Sequence, residues 1–473
     1  MKILMSLIFY PRGGSAQVAR YLSRALLAQG HDVHLVTGTL KDGDPHHDAE
    51  DFFEGIPLTT VDYTEAGRGF ERGENPMSPD WATPFHPSYE DKPGVPDRAF
   101  FEVSDREYRG MVECWARTFE ETGERFRPDV LHLHHLSHAH EAAALTFPSV
   151  PKLTQLHGTE IKMLERLDEL GQEPGGSPEQ DPIARKMLFE SVEISDHFAA
   201  ISPDIRDRGI NLLGIPESRI TTVPNGVDTT LFRPLAWSNP KKLQFLNRIL
   251  VEDPQGWSEG GTPGSIRYQP SDLERFTDSS GSFLPLALFV GRFLDFKRVP
   301  LLVRALSKAN GLSRDAHDPP FNLLVWGGMP GEWEGEHPHS VALSLELPNV
   351  FFCGWLPHGI LSQGLNLADL LVAPSHNEPF GQVYIEAMAT GAPVIATKSG
   401  GPLDFVVGEG PQANGWFAGV DDLDSLARTL HQALGEEAER KRRGANALSL
   451  VRGRYDWKAI AGQYADLYRQ MSG

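Results

Sequence analysis

The 473-residue sequence predicts an α/β protein built from two doubly wound parallel sheets. Three observations carry this. Short β-rich runs alternate with helical segments in two separate series. The chain opens on the repeating unit itself: strand, glycine turn, helix, strand. Between the series, 236–282 holds NPKK, EDPQGWSEGGTPGS and TDSSGS, a stretch with turn and linker chemistry.

The first series opens with KILMSLIFY, the turn PRGGS, the helical AQVARYLSRALLAQG and the strand HDVHLVTG. Ser15 is the expected N-cap of that helix and Gly30 its C-cap. DVLHLHHL and KLTQLHG follow, joined by a helix around 138–145, and then HFAAIS and RITTVPNG. Residues 67–96, rich in Gly, Pro and aromatics (Phe70, Trp81, Phe85, Tyr89), are expected as an excursion loop on one face. The second series is LALFVGRF, FNLLVWGG, NVFFCGW, DLLVAPS and PVIAT, and RYDWKAIAGQYADLYRQ closes the chain as an amphipathic helix. The expected division is 1–235, a segment 236–282, 283–453, and a final helix 454–473. Ligands in such sheets bind at the carboxyl ends of the strands.

Composition narrows the function. Lys+Arg number 44 against 64 Asp+Glu, a net charge of −20 that opposes nucleic-acid or anionic-membrane binding as the main role. That field suits a cationic acceptor, and solubility explains it equally well. Cys114 and Cys353 are the only cysteines, which excludes a disulfide framework and points to a reducing cytoplasm. The apolar run from Ile3 to Phe9 is cut off by Pro11 and Arg12, too early for a secretory leader. No apolar run reaches the roughly 18 residues a membrane span needs.

HNEPFGQVYIEAMATGAPVIAT places two glutamates around a Pro-Phe-Gly turn. Gln382 to Ala389 reads as a helix stopped by Gly391, so Glu378 lies ahead of its N-terminus and Glu386 inside it. A helix start collects anions through free N–H groups. Carboxylates beside it must serve something else: hydroxyl groups of a ligand, or the helix dipole alone. A nucleotide sugar carries both phosphate and hydroxyls. Arg292 and Lys297 follow the strand LALFVG in a loop, as ligands for phosphate charge or as two solvated cations.

These motifs together resemble family 4 of the glycosyltransferases. The resemblance rests on PRGGS, AISPDI, TVPNGVDTTLF, GRFLDFKRV, WGG and the Glu-x7-Glu stretch, and covers about 1–235 and 283–470. It implies the GT-B fold: two Rossmann-like domains facing across a cleft, with the C-terminal helix crossing back to the first. It implies a retaining transferase moving a hexose from a nucleotide-diphosphate sugar, UDP- or GDP-linked, to a hydroxyl acceptor. Glu386 would accept from the ribose hydroxyls and Glu378 would read the donor sugar. Backbone groups across Pro379, Phe380, Gly381, Gln382 and Val383 would hold sugar and phosphate. Arg292 and Lys297 would stabilise the departing diphosphate. Gly13 and Gly14 would approach it from the first turn, and His157 would sit near the reaction centre. His134, His157 and Asn225 would face the acceptor. One departure stands out: the family usually has glycine after the lysine, and here Arg298 follows.

Two metal readings arise. His132, His134, His135, His138 and His140 invite zinc, but two of them fall on a strand and no cysteine or acid has matching spacing. Asp42-Gly43-Asp44 matches a metal-binding Asp-x-Asp literally, yet sits in a polar loop and reads as a turn. The expectation is therefore no metal and no cofactor. The rival readings are a nucleotide-sugar 2-epimerase of the same fold and a non-catalytic carbohydrate-binding homologue.

Overall fold

The computed structural model describes residues 1–11, 13–72, 84–89, 97–172, 182–312 and 320–472. The chain divides into two compact units, Met1–Gly226 with Trp457–Gly473, and Val227–Asp456.

In the first unit the strands are β1 (Lys2–Leu7), β2 (Asp32–Thr39), β3 (Leu58–Asp62), β4 (Pro87–Ser88), β5 (Arg98–Ala99), β6 (Val130–His134), β7 (Lys152–Leu156), β8 (His197–Ala200) and β9 (Ile220–Thr222). Seven form one parallel sheet, ordered β3-β2-β1-β6-β7-β8-β9, while β4 and β5 pair separately. Strands β1, β6 and β7 are buried on both faces, β6 and β7 carrying His132, His134, Thr154 and Gln155 into the interior beside their aliphatic residues. The helix Gly14–Ala28 buries Ala16, Ala19, Leu22 and Leu26 at helical spacing. Against it packs the final helix Trp457–Met471, through Trp457, Ile460, Tyr464, Leu467 and Tyr468.

In the second unit β10 (Leu286–Val290), β11 (Asn322–Trp326), β12 (Val350–Gly354), β13 (Leu370–Ala373), β14 (Val394–Thr397) and β15 (Gly415–Ala418) form a parallel sheet ordered β12-β11-β10-β13-β14-β15. Each sheet reverses its order beside its first strand, at β1/β6 and at β10/β13, the switch point where open α/β sheets bind ligands.

Four expectations change. The first division falls after Gly226 rather than 235. The segment 236–282 is part of the second unit: Phe245, Leu246, Ile249, Leu250, Trp257 and Phe276 are buried, and Trp257 Nε1 donates to Gly328 O at 3.2 Å. Its Gly and Ser turns connect apolar anchors. The N-cap of the first helix is Gly13, at φ 77, so Ser15 lies inside the helix. The expected excursion loop begins inside a helix, Thr64–Glu71, and Phe85 and Tyr89 are core residues, the Tyr89 hydroxyl donating to Leu136 O at 2.6 Å. Trp81 lies outside the described residues.

Candidate functional site

The second unit gathers its charges at the switch point. The turn leaving β10 carries Arg292 and Lys297, and the turn leaving β13 carries Glu378. Lys297 Nζ donates to Glu378 Oε2 at 2.5 Å, both side chains mostly buried. A pair this short and desolvated fixes both groups relative to each other. Arg292 takes another direction: its guanidinium is half-exposed and 4.0 Å from Glu332. The structure therefore unites Lys297 with Glu378 and pairs Arg292 with a carboxylate outside the expected set.

After Glu378 the chain turns through Pro379 and Phe380 into the helix Gln382–Thr390. Its N-cap is Gly381, at φ 89, and a β carbon there would meet the Tyr384 ring at 2.4 Å. Glycine is required both for the left-handed conformation and for the ring. Tyr384 is itself pinned by its hydroxyl donating to Ala373 O at 2.5 Å. The turn is braced from the next strand's exit, where Gly401 N–H donates to Glu378 O at 2.7 Å. Val383 starts the helix beside Gln382, and Glu386 follows one turn in, only 4% exposed. His358 Nε2 donates to Glu386 Oε1 at 3.1 Å. Sequence reasoning missed His358; the signal was its place at a helix start just beyond NVFFCGWLP, at a strand's carboxyl end.

The first unit gathers imidazoles at its own switch point. Gly13 and Gly14 leave β1 with open space where β carbons would stand. His134 ends β6, opposite Gln155 of β7. His134 Nδ1 and His157 Nε2 share a hydrogen bond of 2.9 Å, and His157 also packs on His135 with ring centroids 4.4 Å apart. Asn225 Oδ1 accepts from Gln155 Nε2 at 3.4 Å. His134, His157 and Asn225 are all buried, so the expected acceptor-facing residues form one packed network. Burial, reinforced by neighbouring imidazoles, holds His134 and His157 well below the ordinary histidine value. Burial likewise takes His132, His138 and His140 down to about 3.

Glu160 is the second residue missed. It has no exposed surface; Oε1 accepts from His157 N–H at 2.8 Å, and Oε2 lies 3.2 Å from His135 Nδ1. The signal was His-x-x-Glu at a helix start, the spacing of a capping box. Among the described residues no group of three or more His, Cys, Asp or Glu is arranged to hold a metal ion. Asp42-Gly43-Asp44 is a turn in which Asp42 Oδ1 accepts from Asp44 N–H at 2.9 Å and Oδ2 meets His47 Nδ1 at 2.7 Å. No helix among the described residues is long and apolar enough to cross a membrane.

Comparison with known proteins extends this geometry. The family described as Glycosyltransferase Family 4 matches residues 12–231, and Glycosyl transferases group 1 matches 275–449. Glycogen synthase of Mycobacterium tuberculosis is 26% identical, over 99% of this chain and 94% of its own. D-inositol 3-phosphate glycosyltransferase of Kineococcus radiotolerans is 30% identical, over 59% of this chain and 58% of its own. Among solved structures, Anabaena HepE in complex with UDP and glucose superposes with a TM-score of 0.63 at 18% identity, covering 99% of each chain.

Proposed function

The chain belongs to family 4 of the glycosyltransferases, within the GT-B fold class, and on that premise we propose that it is a retaining hexosyltransferase using a UDP- or GDP-linked sugar. The observation that carries this reading is the Lys297–Glu378 pair beside the helix start at Gly381, with Glu386 one turn inside. It combines what a nucleotide sugar needs: cation and N–H groups for phosphate, carboxylates for hydroxyls.

Departure of the nucleoside diphosphate develops charge on phosphate oxygens. Lys297 and Arg292 offer preorganised stabilisation of that charge, which is the work a divalent ion does in other transferases. The reaction thus proceeds without metal. Glu386 accepts from the ribose hydroxyls and Glu378 from a sugar hydroxyl. Glu378 also holds Lys297 in place before the donor arrives. In the first unit His134, His157 and Asn225 stand on the acceptor side, and the buried His157 is uncharged at neutral pH. The acceptor is a hydroxyl compound; the relatives' names include a glucan synthase and a transferase to a phosphorylated cyclitol, and a polyol or sugar acceptor fits both. Two free thiols, Cys114 and Cys353, suit the reducing cytoplasm.

A panel of UDP-, GDP-, ADP- and dTDP-sugars tests the donor. A ligand present at 100 times its dissociation constant stabilises by about 2.7 kcal/mol and raises Tm accordingly. Turnover should persist in EDTA, and the product should keep the donor's anomeric configuration by NMR. No stabilisation by any member, inactivation by chelation with rescue by manganese, or an inverted product would each overturn the corresponding part of this reading.

A further inference from the structure

The described residues with positive φ other than glycine are Arg127, His135, Arg298, Glu346, Asn377 and Asp421. Three of them, Arg298, Asn377 and Asp421, lie in the turns around Lys297 and Glu378. Such conformations persist only where the surroundings over-determine them, and they cluster at functional sites. Asparagine and aspartate tolerate the left-handed region; arginine has no local means of doing so. Yet Arg298, directly after Lys297, sits at φ 53 and ψ 37, where the resembling family usually has glycine.

Ion pairing holds it there. Arg298 Nε donates to Asp421 Oδ1 at 2.6 Å and Nη2 to Oδ2 at 3.3 Å, a bidentate fork. Nη1 donates to the Asp295 carbonyl at 2.9 Å and to the Asp295 carboxylate. Asp421 stands between β15 and the helix Leu423–Gly435, and its Oδ2 is 3.5 Å from His376 Nδ1. His376 N–H in turn donates to Phe296 O at 2.7 Å, just ahead of Lys297. Three strand-exit turns thereby close around the Lys297–Glu378 pair. The Asp421 carboxyl lies below its ordinary value, chiefly through its hydrogen bonds from Arg298.

We propose that Arg298 and Asp421 are positioning residues for Lys297: their bidentate pair locks the left-handed turn that aims the ammonium at the leaving diphosphate, an inference that rests on the glycosyltransferase reading above. The Asp421 side chain is 45% exposed, so the pair adds little to stability; its effect belongs in the rate.

The test uses R298G, R298K, D421N and K297A in the full chain, with nucleotide release from UDP-glucose or GDP-mannose, whichever the wild type turns over faster. Glycine accepts φ 53 without steric cost, so R298G removes the lock and leaves the turn permitted. A misplacement of about 1 Å at a reacting centre costs on the order of 10²-fold. We expect R298G and D421N each to lower kcat about 10-fold or more, with Tm within about 2 °C of wild type. R298K, a point charge that cannot form the fork, should fall between. In the K297A background R298G should change kcat no further, because the interaction acts through that lysine. Wild-type kcat in R298G beside a slow K297A would overturn this inference alone. So would equal slowing of K297A and wild type by R298G, or a large loss of Tm shared by R298G and D421N, either of which makes the pair structural. Wild-type kcat in K297A would sink the diphosphate site and this inference together.

Discussion

In the first unit the carboxyl ends of β1 and β6 lead to Gly13 and Gly14 and end on His134, whereas the equivalent ends in the second, of β10 and β13, lead to Arg292, Lys297 and Glu378. The strand order matches but for β9, the extra edge strand of the first sheet, and the switch point is the same; the chemistry delivered there is opposite. One set is neutral: burial keeps His134 and His157 uncharged. The other is ionic, held by the short Lys297–Glu378 contact and the longer Arg292–Glu332 contact. The fold decides where side chains gather, and the residue types at the strand exits decide what the place can bind. On the proposed reading, the donor phosphate would fall to the second set and a hydroxyl acceptor to the first.

The largest effects should come from the cations. Lys297→Ala and Arg292→Ala should each lower kcat by roughly 10²–10³, about 2.7–4 kcal/mol of lost charge stabilisation. Their folding effects should differ. Removing Lys297 strips Glu378, only 8% exposed, of a buried partner and should cost about 1–3 kcal/mol in urea unfolding. Removing the half-exposed Arg292 should cost under about 1 kcal/mol. With both cations serving the same departing group, as proposed, the double variant should lose less than the sum. An Arg292→Ala enzyme with normal kcat would make that arginine a surface cation and erase half of the contrast.

Glu386→Ala should act on binding. A ribose held equally in ground and transition states contributes uniform binding, so donor KM should rise about 10–100-fold with kcat nearly unchanged. Steady-state kinetics with donor varied at saturating acceptor separates the two. A fall in kcat at constant KM would remove Glu386 from the ribose.

Much of this was legible from sequence because parallel strands are apolar runs and their exits are punctuated by glycine and proline. KILMSL, LALFV, NLLVW and VFFCG announced themselves. LTTVD of β3 did not, since edge position lets threonine replace aliphatic residues, and the four-residue GWFA of β15 is too short for a periodic signal. The Glu378-to-Glu386 stretch was readable because turn, helix and stop residues are local. The Lys297–Glu378 contact spans 81 positions, and nothing in either neighbourhood specifies it. Glu332 lies beyond a strand exit with no pattern of its own, whereas Glu160 and His358 carry only the local signal of a helix start, which many structural residues share. The segment 236–282 was misread because its glycines and serines outweighed Trp257 and Phe276, whose burial depends on the second sheet.

The neutral character of the first unit has a pH signature. The ordinary histidine value is about 6.5, and burial takes His132, His138 and His140 to about 3, with His134 and His157 also well below it. Between these limits the unfolded chain binds protons that the folded unit refuses. The contribution is therefore fully present above pH 6.5 and is lost as pH falls towards 3, each group contributing up to about 1.4 kcal/mol per pH unit. Tm should fall between pH 7 and pH 5, before most carboxylates titrate, and calorimetry in buffers of different ionisation enthalpy should register proton uptake on unfolding. A flat Tm over that range would mean the imidazoles accept protons in the folded state, and the contrast between the two switch points would narrow.

The smallest effect tests how one of these histidines is kept neutral and in place. The Tyr468 hydroxyl lies 2.6 Å from His132 Nδ1, both fully buried, tying the helix Trp457–Met471 to β6 inside the first unit. Tyr468→Phe preserves the ring packing and removes only that hydrogen bond, leaving a buried ring nitrogen without its partner. The cost should be about 1–2 kcal/mol, a Tm decrease of roughly 2–8 °C. Replacing both partners by apolar groups is nearly neutral where shape is kept, so adding His132→Leu should recover part of the loss instead of adding to it. Strictly additive losses would show that the imidazole is held by packing on His134, whose ring stacks on it at 4.7 Å, and not by the hydroxyl.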